Sequence, residues 1–305
     1  MRIVFMGTPE FAAVPMEKLV SAGYEVALAV TKPDRPKDRG KKMQSCAVKL
    51  KALELGIPVS SPEKIKGNAE FFEELKAAAP DIIIVAAYGK ILPKEILELP
   101  PLGCINIHGS LLPKYRGAAP IQRAVLDCEE ETGVTLMHMA EGMDTGDMIA
   151  KASTPVLEKT SAELFEELSV LGSDLLLEYL PKIADGSAPR EAQNEADASY
   201  APMVFKEDQF FDYSKSPESN AAIVRALGGI TKYNGENLKV FGAHAEDTSC
   251  EKPFGFVVSA DKTGIRVSCG GKLLVLTNIQ LPGKKAMDVS AFLLGNKIEI
   301  GTILG

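Results

Sequence analysis

Two polar side chains, Asn106 and His108, stand two residues apart in the apolar run CINIH. In a β-strand successive side chains point to opposite faces, so Asn106 and His108 would share one face while Ile105 and Ile107 enter a core. An amide donor and an imidazole aimed at one place can stabilise a developing oxyanion and move a proton. The spacing therefore indicates a candidate catalytic pair. A buried strand end, with both polar groups bonded to backbone, is the alternative interpretation.

The residues that follow the pair make the pattern more specific. Residues 110–123 read SLLPKYRGAAPIQR. Together with Asn106 and His108, this string resembles the signature of the folate-dependent formyltransferases, most closely the members that act on methionyl-tRNA. The resemblance implies that Asn106 and His108 are two of three catalytic residues. It also implies that the tetrahydrofolate site is bordered by Ser110, Leu111, Leu112 and Pro113.

Two further segments resemble parts of the same family. Residues 141–147, EGMDTGD, match its D-T-G-D turn, which implies that Asp144 is the catalytic carboxylate and Asp147 its neighbour. The loop after the apolar run 81–87 resembles the loop that contacts the folate pterin. The implied contacts are Tyr88, Gly89, Ile91 and Leu92. Leu92 is expected to contact the ligand without holding the fold, and a plain strand-end loop is the alternative.

The hydrophobic pattern predicts the elements that position these residues. Short apolar strands at 2–7, 24–31 and 81–87 alternate with helical segments at 10–22 and 69–79, as in α/β proteins. A further strand is expected at 134–140 and an amphipathic helix at 161–179. The Gly7 turn lacks both G-x-G-x-x-G and the P-loop motif, so a nucleotide loop is rejected. The resemblance implies a Rossmann-like formyltransferase domain with a mostly parallel sheet.

The last third of the chain has a different pattern of polar and apolar residues. Residues 185–201 are polar and punctuated by Pro and Gly, which indicates a linker. Beyond them come short apolar runs, typical of a small barrel. The expected division is a catalytic domain at 1–184, a linker at 185–205, and a tRNA-binding domain at 206–305 that the resemblance makes a β-barrel of the oligonucleotide-binding type. Residues 227–230 depart from the Asn-Pro-Trp-Pro turn usual in related enzymes.

The charge is unevenly placed along the chain. The formal net charge is -7, yet residues 32–51 contain eight basic and two acidic residues. Charge runs are most often solvated faces. The resemblance implies instead that this basic island contacts the acceptor stem of the initiator tRNA. The implied tRNA contacts are Arg35, Arg39, Lys41 and Lys42.

Composition bounds the remaining questions. No apolar run reaches about 18 residues and the start lacks a signal-peptide pattern, so a cytoplasmic protein is expected, without membrane contact and as a monomer. Five cysteines without C-x-x-C spacing and three histidines give no reason to expect a metal site.

The function that the resemblance implies is transfer of the formyl group of 10-formyltetrahydrofolate to the amino group of methionyl initiator tRNA. Three alternatives remain at this stage. A sugar-nucleotide N-formyltransferase would use the same folate donor and the same three residues on another amine. A hydrolase would release formate, and an RNA-binding protein without catalysis would not need Asn106, His108 and Asp144 together.

Overall fold

A computed structural model describes residues 1–37 and 42–305, which form two compact units. The first unit consists of Met1–Pro120, Thr132–Pro155 and Glu163–Pro202. The second consists of Ile121–Glu131, Val156–Ala162 and Met203–Gly305.

The first part of the chain alternates between strands and helices. The strands up to residue 201 are β1 (Arg2–Gly7), β2 (Glu25–Val30), β3 (Arg35–Lys37), β4 (Lys42–Gln44), β5 (Val59–Ser60), β6 (Ile82–Ala86), β7 (Cys104–His108), β8 (Arg116–Gly117), β9 (Glu131–His138), β10 (Met148–Pro155) and β11 (Tyr200–Ala201). The helices are α1 (Glu10–Ser21), α2 (Ala47–Glu54), α3 (Ala69–Ala78), α4 (Lys94–Leu97), α5 (Pro120–Leu126) and α6 (Ser161–Ala184).

A seven-stranded sheet organises the first unit, in the order β10-β9-β7-β6-β1-β2-β5. Five neighbouring strands, from β7 to β5, run parallel, and β9 is antiparallel to β7. Every residue of β6 is buried, as in a parallel strand that is covered on both faces. The predicted α/β class with a mostly parallel sheet is confirmed.

Strand β9 differs from its predicted bounds. It begins at Glu131 and ends at His138, whereas the apolar pattern places it at 134–140. Its first residues are polar or small, so hydrophobicity alone gives no signal there. At its other end the Met139 amide bonds to the Cys104 carbonyl as the chain leaves the strand. The chain therefore leaves β9 beside the first residue of β7.

The carboxyl ends of three parallel strands lie side by side. Gly7 of β1 is in register with Ala86 of β6, and Ala86 is in register with Ile107 of β7. The chain continues from β1 to β2 on one side and reaches β6 on the other, so the strand order reverses there, which is where open α/β sheets bind ligands. A side chain at Gly7 would stand 2.6 Å from the Ala12 Cβ and 2.9 Å from the Ala86 oxygen, so glycine lets α1 approach the sheet.

The predicted linker is hydrogen-bonded to the first unit over much of its length. Glu191 pairs with Met148 of β10, and β11 pairs in parallel with β8. Residues 191–201 therefore lie along the loop that follows β7. The structural units divide after Pro202. The domain boundaries expected at 184 and 205 stay a prediction.

The second unit is built mainly from antiparallel strands. Its strands are β12 (Gly229–Tyr233), β13 (Glu236–Glu246), β14 (Val257–Asp261), β15 (Gly264–Cys269), β16 (Lys272–Gln280) and β17 (Met287–Asp288), with helices α7 (Pro217–Leu227) and α8 (Val289–Phe292). The sheet order is β12-β13-β16-β15-β14, and β17 pairs with β16.

The core of the second unit lies between this sheet and its helices. Val240, Val267 and Leu276 are among its fully buried apolar residues. The register of β13 against β16 shifts on both sides of Gly242, a bulge of the kind that bends strands at barrel corners. The expected second domain of short antiparallel strands is confirmed.

Candidate active site

Asn106 and His108 lie on one face of β7, as the alternation of the strand predicts. Their residues are only 9% and 5% exposed. Strand β7 lies between β6 and β9, so both side chains are held by a central strand rather than a loop. A buried amide and imidazole at the end of a parallel strand fit the predicted catalytic pair.

His108 has a different neighbour at each ring nitrogen. Its Nε2 lies 2.9 Å from the Tyr115 carbonyl oxygen, and because a carbonyl only accepts, Nε2 carries a proton and donates. Its Nδ1 lies 3.7 Å from Oδ2 of Asp144. That separation exceeds hydrogen-bond length, so the carboxylate faces Nδ1 without bonding to it, and Nδ1 stays available to a third group.

Asp144 is the carboxylate that the structure brings to this pair. Its Oδ2 accepts a hydrogen bond of 2.9 Å from the Gly117 amide, so the loop after β7 also fixes the aspartate. Asp144 and Tyr115 both have left-handed backbones, with φ of 51° and 60°. Such a conformation costs an L-residue about 1–2 kcal/mol, so surrounding contacts must hold both residues in place.

The neighbouring Asp147 has another partner. Its Oδ2 accepts a hydrogen bond of 2.7 Å from Nε of Arg190. The Asp147 carbonyl also accepts from the His138 amide at the end of β9. Burial, and then the charge of Arg190, lower the pKa of His138. The expected division, with Asp144 facing the histidine and Asp147 beside it, agrees with this geometry.

The residues expected to border the folate site after β7 mostly hold their own loop. The Ser110 hydroxyl donates to the Lys114 carbonyl at 2.6 Å, and the Ser110 carbonyl accepts from the Thr135 hydroxyl at 2.7 Å. Leu112 is buried, and its amide donates to the Thr135 hydroxyl at 3.0 Å. Leu111 and Pro113 are partly exposed. Those two residues and the loop backbone are the groups that a ligand could reach.

The loop after β6 divides in the same way. Tyr88 and Leu92 are buried in the core of the first unit, whereas Ile91 is 75% exposed. Leu92 therefore supports the fold, which corrects the expectation that it would only contact ligand. Gly89 has φ of 66°, and a side chain there would meet Nζ of Lys32 at 2.5 Å. Ile91 and Gly89 are the better placed contacts.

The Tyr88 phenol is a buried polar group that has no hydrogen-bond partner within the described residues. Burial raises the pKa of this phenol, so it stays protonated at neutral pH. An unpaired buried hydroxyl costs roughly 1–3 kcal/mol. The role of this loop in folate binding stays a prediction.

The basic island is only partly described. Arg35 is exposed in β3, which pairs antiparallel with β4. Arg39 and Lys41 lie outside the described residues, and of Lys42 only the backbone of β4 is described. Lys49 belongs to the island by sequence, yet its Nζ lies 2.7 Å from Oδ2 of Asp34, and this hydrogen bond lowers the pKa of Asp34.

A second lysine of the island is also neutralised within the first unit. Lys51 has carboxylate partners at 3.1 Å on both Glu17 and Glu54. Two of the eight basic residues therefore pair with acidic residues rather than facing an external partner. The excess positive charge of the island is concentrated on residues before position 43.

The candidate site contains residues that the sequence motifs did not single out. The Arg116 side chain is fully buried and bonds to both carboxylate oxygens of Glu195, at 2.9 and 2.8 Å. This contact lowers the pKa of Glu195. Arg116 also donates to Gln193, and Gln193 in turn reaches the turn around Asp144. Arg116 lies inside the matched string 110–123 without a role assigned to it, and Gln193 and Glu195 lie in the expected linker.

Comparison with protein families identifies the chain. The model described as "Formyl transferase" matches residues 1–179, and the model described as "Formyl transferase, C-terminal domain" matches residues 203–297. The chain belongs to the formyl transferase family. Asn106, His108 and Asp144 lie within the first of these matches. The second match covers most of the antiparallel unit.

Individual relatives are similar to this chain over their whole length. A methionyl-tRNA formyltransferase of Clostridioides difficile is 45% identical over 310 residues, which cover both chains completely. A methionyl-tRNA formyltransferase of Syntrophus aciditrophicus is also 45% identical and covers 99% of this chain and 98% of its own.

A solved structure has the same fold at low sequence identity. HypX from Aquifex aeolicus has a TM-score of 0.64, is 18% identical, and matches 99% of this chain. The chain spans about half the length of HypX, 52%. At this identity the match supports the fold alone.

Neither a membrane-spanning helix nor a metal-binding cluster is found among the described residues. No helix in residues 1–37 and 42–305 has the length and apolar character needed to cross a membrane. Over the same residues, no cluster of three or more histidine, cysteine, aspartate or glutamate side chains could hold a metal ion.

Proposed function

We propose that this protein transfers the formyl group of 10-formyltetrahydrofolate to the free amino group of methionyl initiator tRNA. The observation that carries the proposal is full-length similarity, at 45% identity, to a methionyl-tRNA formyltransferase. Asn106 and His108, which are buried, and the partly exposed Asp144 supply the chemistry that such a transfer needs. The folate is a substrate that arrives with its formyl group and leaves without it.

The reaction that fits these residues is direct attack by an amine on the formyl carbon. A new N–C bond forms, and the formyl oxygen takes the electron pair and becomes negative. The Asn106 amide and Nδ1–H of His108 are the donors available to that oxygen, because Nε2 is bonded to Tyr115. Preorganised donors of this kind act where charge develops in the transition state.

Asp144 has the complementary role in the proposed reaction. The attacking amine becomes cationic and must lose a proton, which the Asp144 carboxylate accepts directly or through a water molecule. The tetrahedral species then collapses, the carbonyl reforms, and the bond to the folate nitrogen breaks. The folate nitrogen leaves with the proton that Asp144 took from the amine, passed on directly or through a water molecule, and Asp144 returns to its carboxylate form. The carboxylate lies 3.7 Å from His108, so both groups can act on one tetrahedral centre.

The folate donor and the tRNA acceptor are proposed to contact different residues. The folate would lie outside the carboxyl ends of β6 and β7, against Gly89, Ile91, Leu111 and Pro113. The initiator tRNA would contact the basic island through Arg35, Arg39, Lys41 and Lys42, while the second unit binds another part of it. A monomer acting in the cytoplasm is proposed, because the tRNA acceptor belongs to translation initiation.

One experiment tests the acceptor and the donor together. Folate carrying a labelled formyl group is incubated with the protein and with methionyl initiator tRNA, an amino-sugar nucleotide, or no amine. Label on the methionyl amine alone is the expected result. Label on the sugar would establish a sugar-nucleotide N-formyltransferase, and formate released without any amine would establish a hydrolase. Either outcome would overturn the proposed acceptor.

A further inference from the structure

Every hydrogen-bonding group of the Gln193 side-chain amide has a partner. Its Nε2 donates to the Asp144 carbonyl and to the Gly146 carbonyl, each at 2.8 Å. Its Oε1 accepts from Nε of Arg116 at 3.0 Å. Both N–H groups and the oxygen therefore have partners, and these partners determine which way the amide faces, since carbonyls accept and a guanidinium donates.

The contacts of Gln193 hold a turn that is otherwise unfavourable. Asp144 has a left-handed backbone, and its carbonyl and that of Gly146 both face the Gln193 amide. The turn also packs against β9, because a side chain on Gly146 would stand 1.8 Å from the His138 oxygen. Both the end of β9 and Gln193 therefore contact the turn that carries the carboxylate.

The same segment holds the loop that contacts His108. The Tyr115 amide donates to the Ser199 hydroxyl at 2.9 Å, and the Arg116 amide donates to the Ser199 carbonyl at 2.8 Å. Tyr115 supplies the carbonyl that accepts from His108, and Gly117 supplies the amide that donates to Asp144. Residues 191–201 therefore connect both neighbours of the imidazole.

We propose that Gln193 is a positioning residue for Asp144, which sets the carboxylate against Nδ1 of His108. Gln193 does not touch the reacting atoms and acts only through the 144–146 turn. The inference rests on the proposed function, because it assigns a catalytic task to Asp144. It also gives Gln193, a residue of the expected linker, a role in catalysis.

Two substitutions distinguish the hydrogen bonds that the Gln193 amide donates from the one that it accepts. Gln193→Leu removes all three hydrogen bonds at similar size. Gln193→Glu keeps an oxygen for Arg116 but cannot donate to either carbonyl. Positioning of Asp144 predicts that both variants lower kcat, by about 10- to 100-fold, because small misplacements of a reacting group are costly. If only the contact to Arg116 mattered, Gln193→Glu would retain parental activity, and the proposal would be wrong.

A double-mutant cycle with Asp144→Ala tests the route of the effect. If Gln193 acts only through Asp144, the double variant has the kcat of Asp144→Ala within about twofold. Multiplicative losses would overturn the proposal. Asn194→Ala is the matched control, because Asn194 is the adjacent residue and its side chain, within the described part of the chain, bonds to Ala196 and Asp197 and not to the 144–146 turn. It is expected to keep the parental kcat.

Thermal unfolding and the KM for each substrate are measured for every variant, so that a loss of fold or of binding is recognised. The expected KM values change by less than about twofold, while kcat falls. If Gln193→Leu does not fold, Gln193→Glu still decides the matter through its kcat. If Asp144→Ala is as active as the parent, the proposed function fails. If Asp144→Ala is inactive and both Gln193 variants are fully active, only the positioning role fails.

Discussion

Nδ1 of His108 lies 3.7 Å from Oδ2 of Asp144, so the imidazole and the carboxylate face each other without a hydrogen bond between them. The carboxylate oxygen is instead held by the Gly117 amide, and the other ring nitrogen by the Tyr115 carbonyl. The two catalytic candidates are therefore fixed by the backbone of one loop. Neither of these contacts involves Nδ1.

Asn106→Ala should lower turnover while donor binding changes little. The lost amide is one of two donors to the developing oxyanion, and loss of one such donor costs about 10²- to 10³-fold in kcat. Asn106 is nearly buried, so the variant is compared with the parent in urea unfolding before its kinetics are interpreted. A folded Asn106→Ala protein with normal turnover would exclude the oxyanion role.

His108→Ala and Asp144→Ala should each abolish most activity. Because the two groups act on one tetrahedral centre, their combined loss should be much smaller than the product of the single losses. The measurement is single-turnover formyl transfer with each single and double variant. Independent, multiplicative effects would show that the two residues serve separate steps.

The sequence predicts this site unevenly, for physical reasons. Asn106 and His108 share a face because the period of a strand is two, which a short apolar run reveals. Asp144 has no such local pattern, and only the resemblance of residues 141–147 to a family turn predicts its role. Gln193 has neither signal. Its contact with Arg116 spans 77 residues of sequence, and only the pairing of β8 with β11 brings the two together.

The same reasoning explains the buried loop residues. A motif such as SLLP or YGKIL shows which segment lies at a strand end, yet it cannot show which side chains turn inward. Leu92 and Leu112 turn inward, and Ile91 turns outward. The fold class was predictable because alternating strands and helices have strong hydrophobic periods, whereas the hydrogen bonds of the polar 191–201 segment have none.

Gly117→Ala should impair both stability and catalysis. Gly117 has φ of 125°, and a side chain there would stand 2.7 Å from the Ala201 carbonyl oxygen. The backbone must shift, which displaces the amide that holds Asp144. Gly186→Ala is the control, since Gly186 also has a positive φ, 78°, but nothing lies within 4 Å of its added side chain.

Both glycine variants bear the cost of a left-handed alanine, about 1–2 kcal/mol in the free energy of unfolding. Only Gly117→Ala should lower kcat, by about tenfold or more, since only it moves a partner of the carboxylate. Urea unfolding and single-turnover rates are measured for the pair. Equal kcat values in the two variants would show that the Gly117 amide does not position Asp144.

Ile91→Asp and Leu92→Asp should differ in kind. Ile91 is exposed, so its aspartate is solvated, and the expected result is a raised KM for the folate donor in a protein of normal stability. Leu92 is buried, and a carboxylate there lowers the free energy of unfolding by more than about 4 kcal/mol. Donor KM and urea unfolding are measured for both. Unchanged donor KM in Ile91→Asp would place the folate elsewhere.

The basic island should act on the tRNA alone. Arginine offers a planar fork to phosphates and a face to unpaired bases, which lysine cannot copy. Arg39→Ala should therefore reduce kcat/KM for methionyl initiator tRNA more than Arg39→Lys, and both should leave donor KM unchanged. Lys182→Ala is the control, because Lys182 lies on α6 and pairs with Glu178 at 3.0 Å.

Salt dependence distinguishes a phosphate contact from a base contact in the same island. Each lysine that neutralises a phosphate contributes about 0.7–0.9 to the slope of log K against log salt. Lys41→Ala combined with Lys42→Ala should therefore flatten that slope by up to about 2, while Lys182→Ala leaves it unchanged. Binding of the initiator tRNA is measured from low to high salt. If Arg39→Ala and the lysine variants all behave as the parent, the island is a solvated surface and the acceptor amine belongs to another class of molecule.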